Sequence, residues 1–169
     1  MSKVLILDTS ILCVWLNVPG METCGSDADR WDRDRVDQKI SEEMVAKTTF
    51  VLPMATLIET GNHIAQAAHS RWERANALAE IIRKSAQDLE PWAAFSHQSD
   101  LWSPEGLEKL ADSWPSLANQ CISIGDATIK DVAEFYAQSR FAVEILTGDE
   151  GLKSYEPVTA TETPRRRKR

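Results

Sequence analysis

The chain has 169 residues, of which 43% are hydrophobic and 27% are charged. This length suits one domain with a sizeable core, and the composition excludes a fibrous or largely disordered chain. Polar residues interrupt every apolar stretch well before the roughly 20 residues needed to span a bilayer, so no membrane-spanning segment is predicted. The start of the chain lacks the features of a secretory signal, and we therefore expect a cytoplasmic protein.

The net charge of −7 is unevenly distributed along the chain. Residues 1–164 carry 14 basic and 26 acidic side chains, a net charge of −12. The last five residues are all basic: Arg165, Arg166, Arg167, Lys168 and Arg169. A body this acidic does not attract nucleic acid by its overall charge, so such binding would need a local basic strip or bound cations.

The positions of the cysteines and tryptophans bear on disulfides, zinc binding and the core. Cys13, Cys24 and Cys121 are odd in number and lack CxxC spacing, which argues against a disulfide framework and a cysteine zinc site. Trp15 and Trp72 fall within apolar stripes at helical spacing, and we expect both in the core.

The first half of the chain alternates strand-like and helix-like segments. Residues 3–7 form a continuous apolar run that predicts a buried strand, and a helical stripe follows it and ends near Pro19. Residues 30–43 alternate charges around a narrow apolar seam, which indicates a solvent-facing helix. Residues 48–52 predict a second strand.

The next two segments are predicted helices. The helix over residues 55–68 has one apolar side that we expect to face the core: Leu57, Ile58, Gly61, Ile64, Ala65 and Ala68. Its opposite side is polar: Thr56, Glu59, Asn62, His63 and Gln66. Residues 70–86 form the second helix, and Ser70 and Glu73 match a capping box at its start.

The second half predicts a short helix over residues 104–111, a clear helix over residues 126–138 and a third strand over residues 141–146. A weaker fourth strand is expected around Val158. Strands alternating with helices predict an α/β fold with a mainly parallel central sheet flanked by helices. We expect one domain over residues 1–155 and a polar, disordered basic tail over the rest.

Four acidic residues interrupt or end apolar elements: Asp8, Glu59, Asp126 and Asp149. Each has an ordinary explanation alone, since Asp126 could cap its helix, Glu59 could be solvated and Asp149 could belong to a turn. However, Asp8 and Asp149 each follow a strand, and ligand sites of parallel sheets lie outside the carboxyl ends of strands. Converging carboxylates repel one another unless cations neutralise them, and oxygen ligands favour Mg²⁺ or Mn²⁺ over zinc.

The acids lie within four short motifs that occur in order: Asp8-Thr-Ser10, Ile-Glu59, Gly-Asp126-Ala-Thr-Ile and Leu-Thr147-Gly-Asp149. Over residues 3–152 this order resembles the successive motifs of PIN domain nucleases, including the toxin ribonucleases of bacterial toxin–antitoxin pairs. The resemblance implies a PIN-like three-layer fold around the parallel sheet.

The resemblance also implies a metal-dependent endoribonuclease that hydrolyses RNA phosphodiester bonds. Asp8 and Asp126 would be the principal ligands of Mg²⁺ or Mn²⁺, and Glu59 and Asp149 would complete or orient the metal shell. The hydroxyl groups of Ser10 and Thr147 would hold a carboxylate or a water. The basic tail, Arg165, Arg166, Arg167, Lys168 and Arg169, would supply phosphate contacts to RNA.

Two protein partners follow from the resemblance, and no membrane partner does. One is an antitoxin or other protein inhibitor. The other is a second copy of the chain, contacted through apolar helix faces around Ile64, Ala68 and Ile82. The chain departs from the family pattern at Lys130, which lies four residues after Asp126 and could reach the site.

Other readings of the acids remain. A haloacid-dehalogenase-type phosphatase would show a second acid two residues after Asp8, where this chain has Ser10. A phospho-receiver domain would need an acidic pair near the start, where Ile6 and Leu7 precede Asp8. A non-catalytic PIN-like module that binds RNA or protein stays open, although clustered carboxylates without a cation would cost stability.

Overall fold

The sheet lies between two layers of helices in the computed structural model, which describes residues 1–159. Its strands are β1 (Lys3–Leu7), β2 (Thr49–Val51) and β3 (Ala142–Leu146), and they are all parallel in the order β2-β1-β3. This confirms the predicted α/β class. The fourth strand expected around Val158 is wrong for the described residues, because Val158 is 96% exposed and lies outside any strand.

The helices are α1 (Thr9–Trp15), α2 (Arg33–Val45), α3 (Met54–Gln66), α4 (Arg71–Ala86), α5 (Pro104–Ala118), α6 (Ile124–Gln138) and α7 (Glu150–Lys153). A 3₁₀ helix spans Phe95–Trp102. Helix α5 is longer than predicted and continues through Pro115. None of the helices in residues 1–159 combines the length and apolar character needed to cross a membrane.

Alternating side chains of β1 divide the core into two parts. Leu5 and Leu7 pack with buried residues of α1, α2, α3 and α4 on one face of the sheet. Val4 and Ile6 pack with buried residues of α6 and α7 on the other face. Because apolar residues cover both faces, β1 is the buried central strand that its continuous apolar sequence predicts.

Helix α3 faces the core differently from the prediction. Thr56 and Thr60 are fully buried, whereas Ile58 is 53% exposed. The Thr56 hydroxyl donates a hydrogen bond to the Leu7 carbonyl at 2.8 Å, which ties the helix to the end of β1 and turns its threonine side inward. Ile64 is only 3% exposed and lies in the core, so it does not belong to a self-association surface.

The start of α4 also differs from the prediction. Ser70 has a left-handed backbone conformation with φ of 59°, and its side chain makes no capping hydrogen bond. The predicted capping box is therefore wrong. Trp72 on the same turn is 77% exposed, against the expected core position. Trp92 is the buried tryptophan instead, and it packs against Trp15 and the edge of Phe50.

Candidate functional site

Asp8 lies directly after β1 and is almost completely buried. Its N–H donates to the Leu146 carbonyl at 3.1 Å, so the sheet pairing of β1 with β3 continues to this residue. The hydroxyl groups of Ser10 and Thr147 both donate to Asp8 Oδ2, at 2.8 and 2.7 Å. The two hydroxyl residues of the sequence motifs thus orient one carboxylate, in agreement with one of the two roles that the resemblance implies.

Glu59 is held against the amino ends of two helices. Thr56, one turn earlier on α3, anchors this helix to β1. The Thr9 hydroxyl donates to Glu59 Oε2 at 2.9 Å. Oε1 points at Gly125, where an added Cβ would collide with it. Gly125 therefore permits the start of α6 to approach the carboxylate closely.

Asp126 lies in the first turn of α6 but does not cap this helix. The cap is Ser123, whose hydroxyl accepts a hydrogen bond from the Asp126 N–H at 3.0 Å. Burial raises the pKa of the Asp126 carboxyl, a hydrogen bond with the Ser123 side chain opposes this rise, and the negative charges of Asp8, Asp149 and Glu59 add to it. The other three acids are therefore each close enough to Asp126 for their charges to repel its carboxylate.

Asp149 differs from the other three acids because its carboxylate accepts hydrogen bonds from backbone N–H groups. Oδ1 accepts hydrogen bonds from the N–H groups of Gly151 and Leu152, at 2.7 and 3.2 Å, and so caps α7. The Asp149 N–H donates to the Thr147 hydroxyl at 3.0 Å. Asp149 is therefore a helix cap rather than the turn residue considered from the sequence, and its exposed carboxylate lies close enough to Asp126 for the two charges to interact.

The acidic quartet consists of Asp8, Glu59, Asp126 and Asp149. None of these four carboxylates forms an ion pair among residues 1–159. Carboxylate and hydroxyl oxygens with surplus negative charge are the donor set that fits Mg²⁺ or Mn²⁺. In the described part of the chain, however, no three Asp, Glu, His or Cys side chains are already close enough together to hold one ion.

The loop between α1 and α2 packs against this site. Cys24 and Trp31 pair through two backbone hydrogen bonds of 3.0 and 2.8 Å, which close the loop. A Cβ at Gly148 would lie 2.7 Å from Cys24 Sγ, so the turn after β3 needs glycine to fit beneath the loop. Burial raises the pKa of the Cys24 thiol, the Ser10 hydroxyl lowers it, and the Asp8 charge raises it. The loop therefore borders the Asp8 side of the quartet.

The remaining candidate residues lie outside the quartet. Lys130 binds Glu134 at 2.7 Å on the same helix and does not pair with Asp126. His63 is exposed on α3, one turn after Glu59. The predicted RNA-binding residues Arg165, Arg166, Arg167, Lys168 and Arg169 lie outside the described residues.

Comparisons of the chain with protein-family models, with curated proteins and with solved structures found no match. The geometry of the quartet is therefore the main observation from which a function can be proposed.

Proposed function

We propose that this protein is a metal-dependent endoribonuclease that uses Mg²⁺ or Mn²⁺. The observation that carries the proposal is the meeting of four carboxylates from four separate elements at the carboxyl edge of one parallel sheet. Burial raises the pKa of Asp126 most, and the negative charges of the other three acids raise it further, a repulsion that a bound cation would relieve. The order of the motifs, which resembles that of PIN domain nucleases, agrees with this chemistry.

The side chains have different parts in the proposed site. Asp8 and Asp126 hold the ion, while Ser10 and Thr147 fix the orientation of the Asp8 carboxylate. Glu59, oriented by Thr9, and the second oxygen of Asp149 complete or orient the shell. When bound, Mg²⁺ or Mn²⁺ supplies an acidified water and stabilises charge on the scissile phosphate.

RNA is the proposed substrate, and the cytoplasm is the proposed compartment. The toxin of a toxin–antitoxin pair is the biological role that the resemblance favours, with a protein antitoxin as inhibitor and a homodimer as the working form. These partners stay predictions.

A non-catalytic RNA- or protein-binding module is the second candidate. In that case the four acids would be idle. The two candidates differ in whether RNA phosphodiester bonds are cut. They also differ in whether a chelator removes that activity.

The deciding experiment measures cleavage of a single-stranded RNA pool in Mg²⁺ or Mn²⁺ and in EDTA. We expect cleavage with metal and none with EDTA. Asp8→Asn and Asp126→Asn should each reduce the rate by more than roughly 100-fold, since loss of a metal ligand exceeds the 10- to 100-fold effect of removing an outer partner. Thr147→Val removes the hydroxyl that orients Asp8 and should fall within that smaller range.

Asp131→Asn is the matched control, because Asp131 lies on α6 as Asp126 does but is outside the quartet. Its pKa is raised by burial and by Glu134, against Lys109 and Lys130. This variant should cleave RNA at the wild-type rate. Wild-type cleavage in folded Asp8→Asn or Asp126→Asn would overturn the site, and RNA binding without cleavage in any metal would favour the second candidate.

A further inference from the structure

The loop between α1 and α2 brings a tryptophan to the border of the proposed metal site. Cys24 and Trp31 exchange both of their backbone hydrogen bonds, so their Cα atoms lie about 5.5 Å apart. Cys24 Sγ lies against Gly148. The Gly148 N–H in turn donates to the Ser10 hydroxyl at 3.0 Å, and this hydroxyl donates to Asp8. Trp31 is therefore linked to the Asp8 side of the quartet by a short chain of contacts.

The indole of Trp31 supports the side chain of Arg35. The guanidinium carbon of Arg35 lies 3.7 Å from the centre of the Trp31 ring, so the indole covers one side of the guanidinium. Trp31 itself packs against the core cluster that contains Leu5 and Leu7. The backbone of Arg35 is also held, because its N–H donates to the Asp32 cap of α2 at 2.9 Å. The guanidinium therefore has a fixed support beside the site.

Arg35 uses one terminal nitrogen to bind the protein and leaves one edge of its guanidinium free. Nη1 contacts the Asp29 carboxylate at 2.7 Å and donates to the Arg30 carbonyl at 2.8 Å. Nε and Nη2 have no hydrogen-bond or ion-pair partner among residues 1–159, and the side chain is 43% exposed. The Nε–Nη2 edge therefore presents two N–H groups side by side, the fork with which arginine makes bidentate hydrogen bonds.

The surrounding charge favours a neutral ligand for this fork over a phosphate. Asp29 already balances the charge of Arg35, and the nearby quartet repels further anions. A neutral group with two adjacent acceptors would satisfy both free N–H groups without adding negative charge. Guanine offers such a pair in O6 and N7, whereas on the same edge adenine has one acceptor and one donor, uracil one acceptor and cytosine a donor. These base edges are accessible in unpaired RNA.

We propose that Arg35 is a specificity-determining residue that reads a guanine base of single-stranded RNA close to the cleaved bond. Nε and Nη2 donate to guanine O6 and N7, while Trp31 and Asp29 act through Arg35 as positioning residues. The inference rests on the proposed function for its substrate class, RNA. Cleavage should then occur at a constant distance from a guanosine.

The test measures RNA affinity of the full chain by fluorescence anisotropy in EDTA and low salt, where no cleavage is expected. The probes are short adenosine oligomers that differ only in their central base, which is guanine, 7-deazaguanine, cytosine or adenine. We expect the guanine probe to bind about tenfold more tightly than the adenine probe, the discrimination of one bidentate arginine–guanine pair. 7-Deazaguanine lacks the N7 acceptor and should lose most of this preference. This comparison uses the unaltered protein, so a folding defect cannot explain it.

Arg35→Lys keeps the positive charge but loses the planar fork. It should therefore bind the guanine and adenine probes equally, with the affinity that the wild type has for adenine. Arg33→Lys is the matched control, because Arg33 lies on the same helix with 47% exposure and uses its Nε to pair with Asp37 at 3.1 Å. This control should keep the guanine preference.

The guanine contact would be overturned if the wild type bound no RNA, showed no base preference or preferred cytosine. A preference that survives in 7-deazaguanine or in Arg35→Lys would also overturn it. So would an equal loss of affinity for every probe in Arg35→Lys, which would identify a phosphate contact instead. Cleavage in Mn²⁺ without a guanine preference would contradict this inference and leave the nuclease proposal intact. A guanine preference without cleavage in Mg²⁺ or Mn²⁺ would do the reverse.

Discussion

Two carboxylates of the quartet, Asp126 and Asp149, lie at the starts of helices but differ in what their oxygens contact. Asp149 Oδ1 accepts two backbone N–H groups of α7, so removing this side chain would uncap a helix. At α6 the Ser123 hydroxyl performs the capping, and Asp126 is left with its raised pKa beside three other acids. Neutralising Asp126 should therefore relieve repulsion without breaking a helix cap.

Asp126→Asn should raise the melting temperature in EDTA by roughly 2–4 °C, the shift that 1 kcal/mol produces in a chain of this size. Addition of Mn²⁺ should reverse the order of stability. A cation at 100 times its dissociation constant stabilises the wild type by about 2.7 kcal/mol, and the variant lacks one ligand for it. Scanning calorimetry in EDTA and in Mn²⁺ measures both effects.

Asp131→Asn again serves as the control, since it changes a carboxyl on the same helix away from the quartet. Its response to Mn²⁺ should equal that of the wild type. An equal Mn²⁺ response in Asp126→Asn would show that Asp126 does not bind the ion.

The position of a single site residue could be predicted from the sequence where the residue directly follows a strand. Asp8 follows an uninterrupted apolar run, so its place at a strand end could be inferred from the sequence. The hydrogen bond from Thr9 to Glu59 joins residues 50 positions apart and depends on how α3 packs, which no local pattern records. The capping of α6 by Ser123 was missed for a different reason. Asp126, itself a good capping residue, lies only three residues later.

At the level of elements, a cluster of four charged side chains around the buried Glu43 joins α2 to the sheet. Lys39 Nζ lies 2.7 Å from the Glu43 carboxylate and 3.0 Å from that of Glu144 on β3, and Lys3 of β1 contacts both acids. Burial alone would raise the pKa of Glu43, but hydrogen bonds from Lys3, Lys39 and Thr48 outweigh it and lower the pKa to about 2. The cluster therefore stabilises the fold while Glu43 is ionised.

Glu43→Gln should lower the free energy of unfolding by about 2 kcal/mol at pH 7, because it removes a buried carboxylate that accepts charge-assisted hydrogen bonds from Lys3 and Lys39. The pH dependence has a definite sign. Since the folded-state pKa lies below the ordinary value of 4.5, the contribution of Glu43 is fully present above pH 4.5 and is lost as the pH falls towards 2. Urea unfolding at a series of pH values measures this difference.

Glu42→Gln is the matched control, because Glu42 is the neighbouring residue on α2 but is exposed. Its effect should stay within about 0.5 kcal/mol. A similar small effect for Glu43→Gln, or a loss that does not shrink between pH 4.5 and 2, would contradict the role of the cluster.

Elements could be located from the sequence more reliably than their buried faces. Apolar runs and helical periodicity indicated all three strands and the main helices. The face of α3 was wrong because two threonines, rather than Ile58, turn inward, and the Thr56 bond to Leu7 is a tertiary contact. Serine is a common capping residue, but the left-handed backbone of Ser70 prevents capping, which requires an extended conformation.

Across the whole molecule, the parallel sheet places the quartet at its carboxyl edge, where a divalent cation is the proposed ligand. Self-association stays a prediction. Burial of Ile64 means that it would have to use other side chains, such as the exposed Ala68 and the half-buried Ile82.

The overall charge of the chain opposes RNA binding, because residues 1–164 carry a net charge of −12 and repel the phosphates of RNA. The arginines nearest the loop between α1 and α2 do not offset that charge, since Arg30 of the loop pairs with Asp27, and Arg35 of α2 pairs with Asp29. The basic tail, residues 165–169, supplies five positive charges that could contact phosphates without selecting a sequence.

Replacing all five tail residues by glutamine should therefore weaken RNA binding evenly across sequences. Each phosphate contact to a single strand contributes about 0.7 to the slope of log affinity against log salt, so the slope should become shallower by up to roughly 3.5. Fluorescence anisotropy over a salt series, with two RNA oligonucleotides of unrelated sequence, measures affinity and slope together.

Asp8→Asn is the comparison variant, since it should abolish cleavage and leave the salt slope close to that of the wild type. The tail variant should show the opposite behaviour and cleave at the wild-type rate when RNA is saturating, because the quartet is intact. An unchanged salt slope in the tail variant would show that these five residues do not contact RNA.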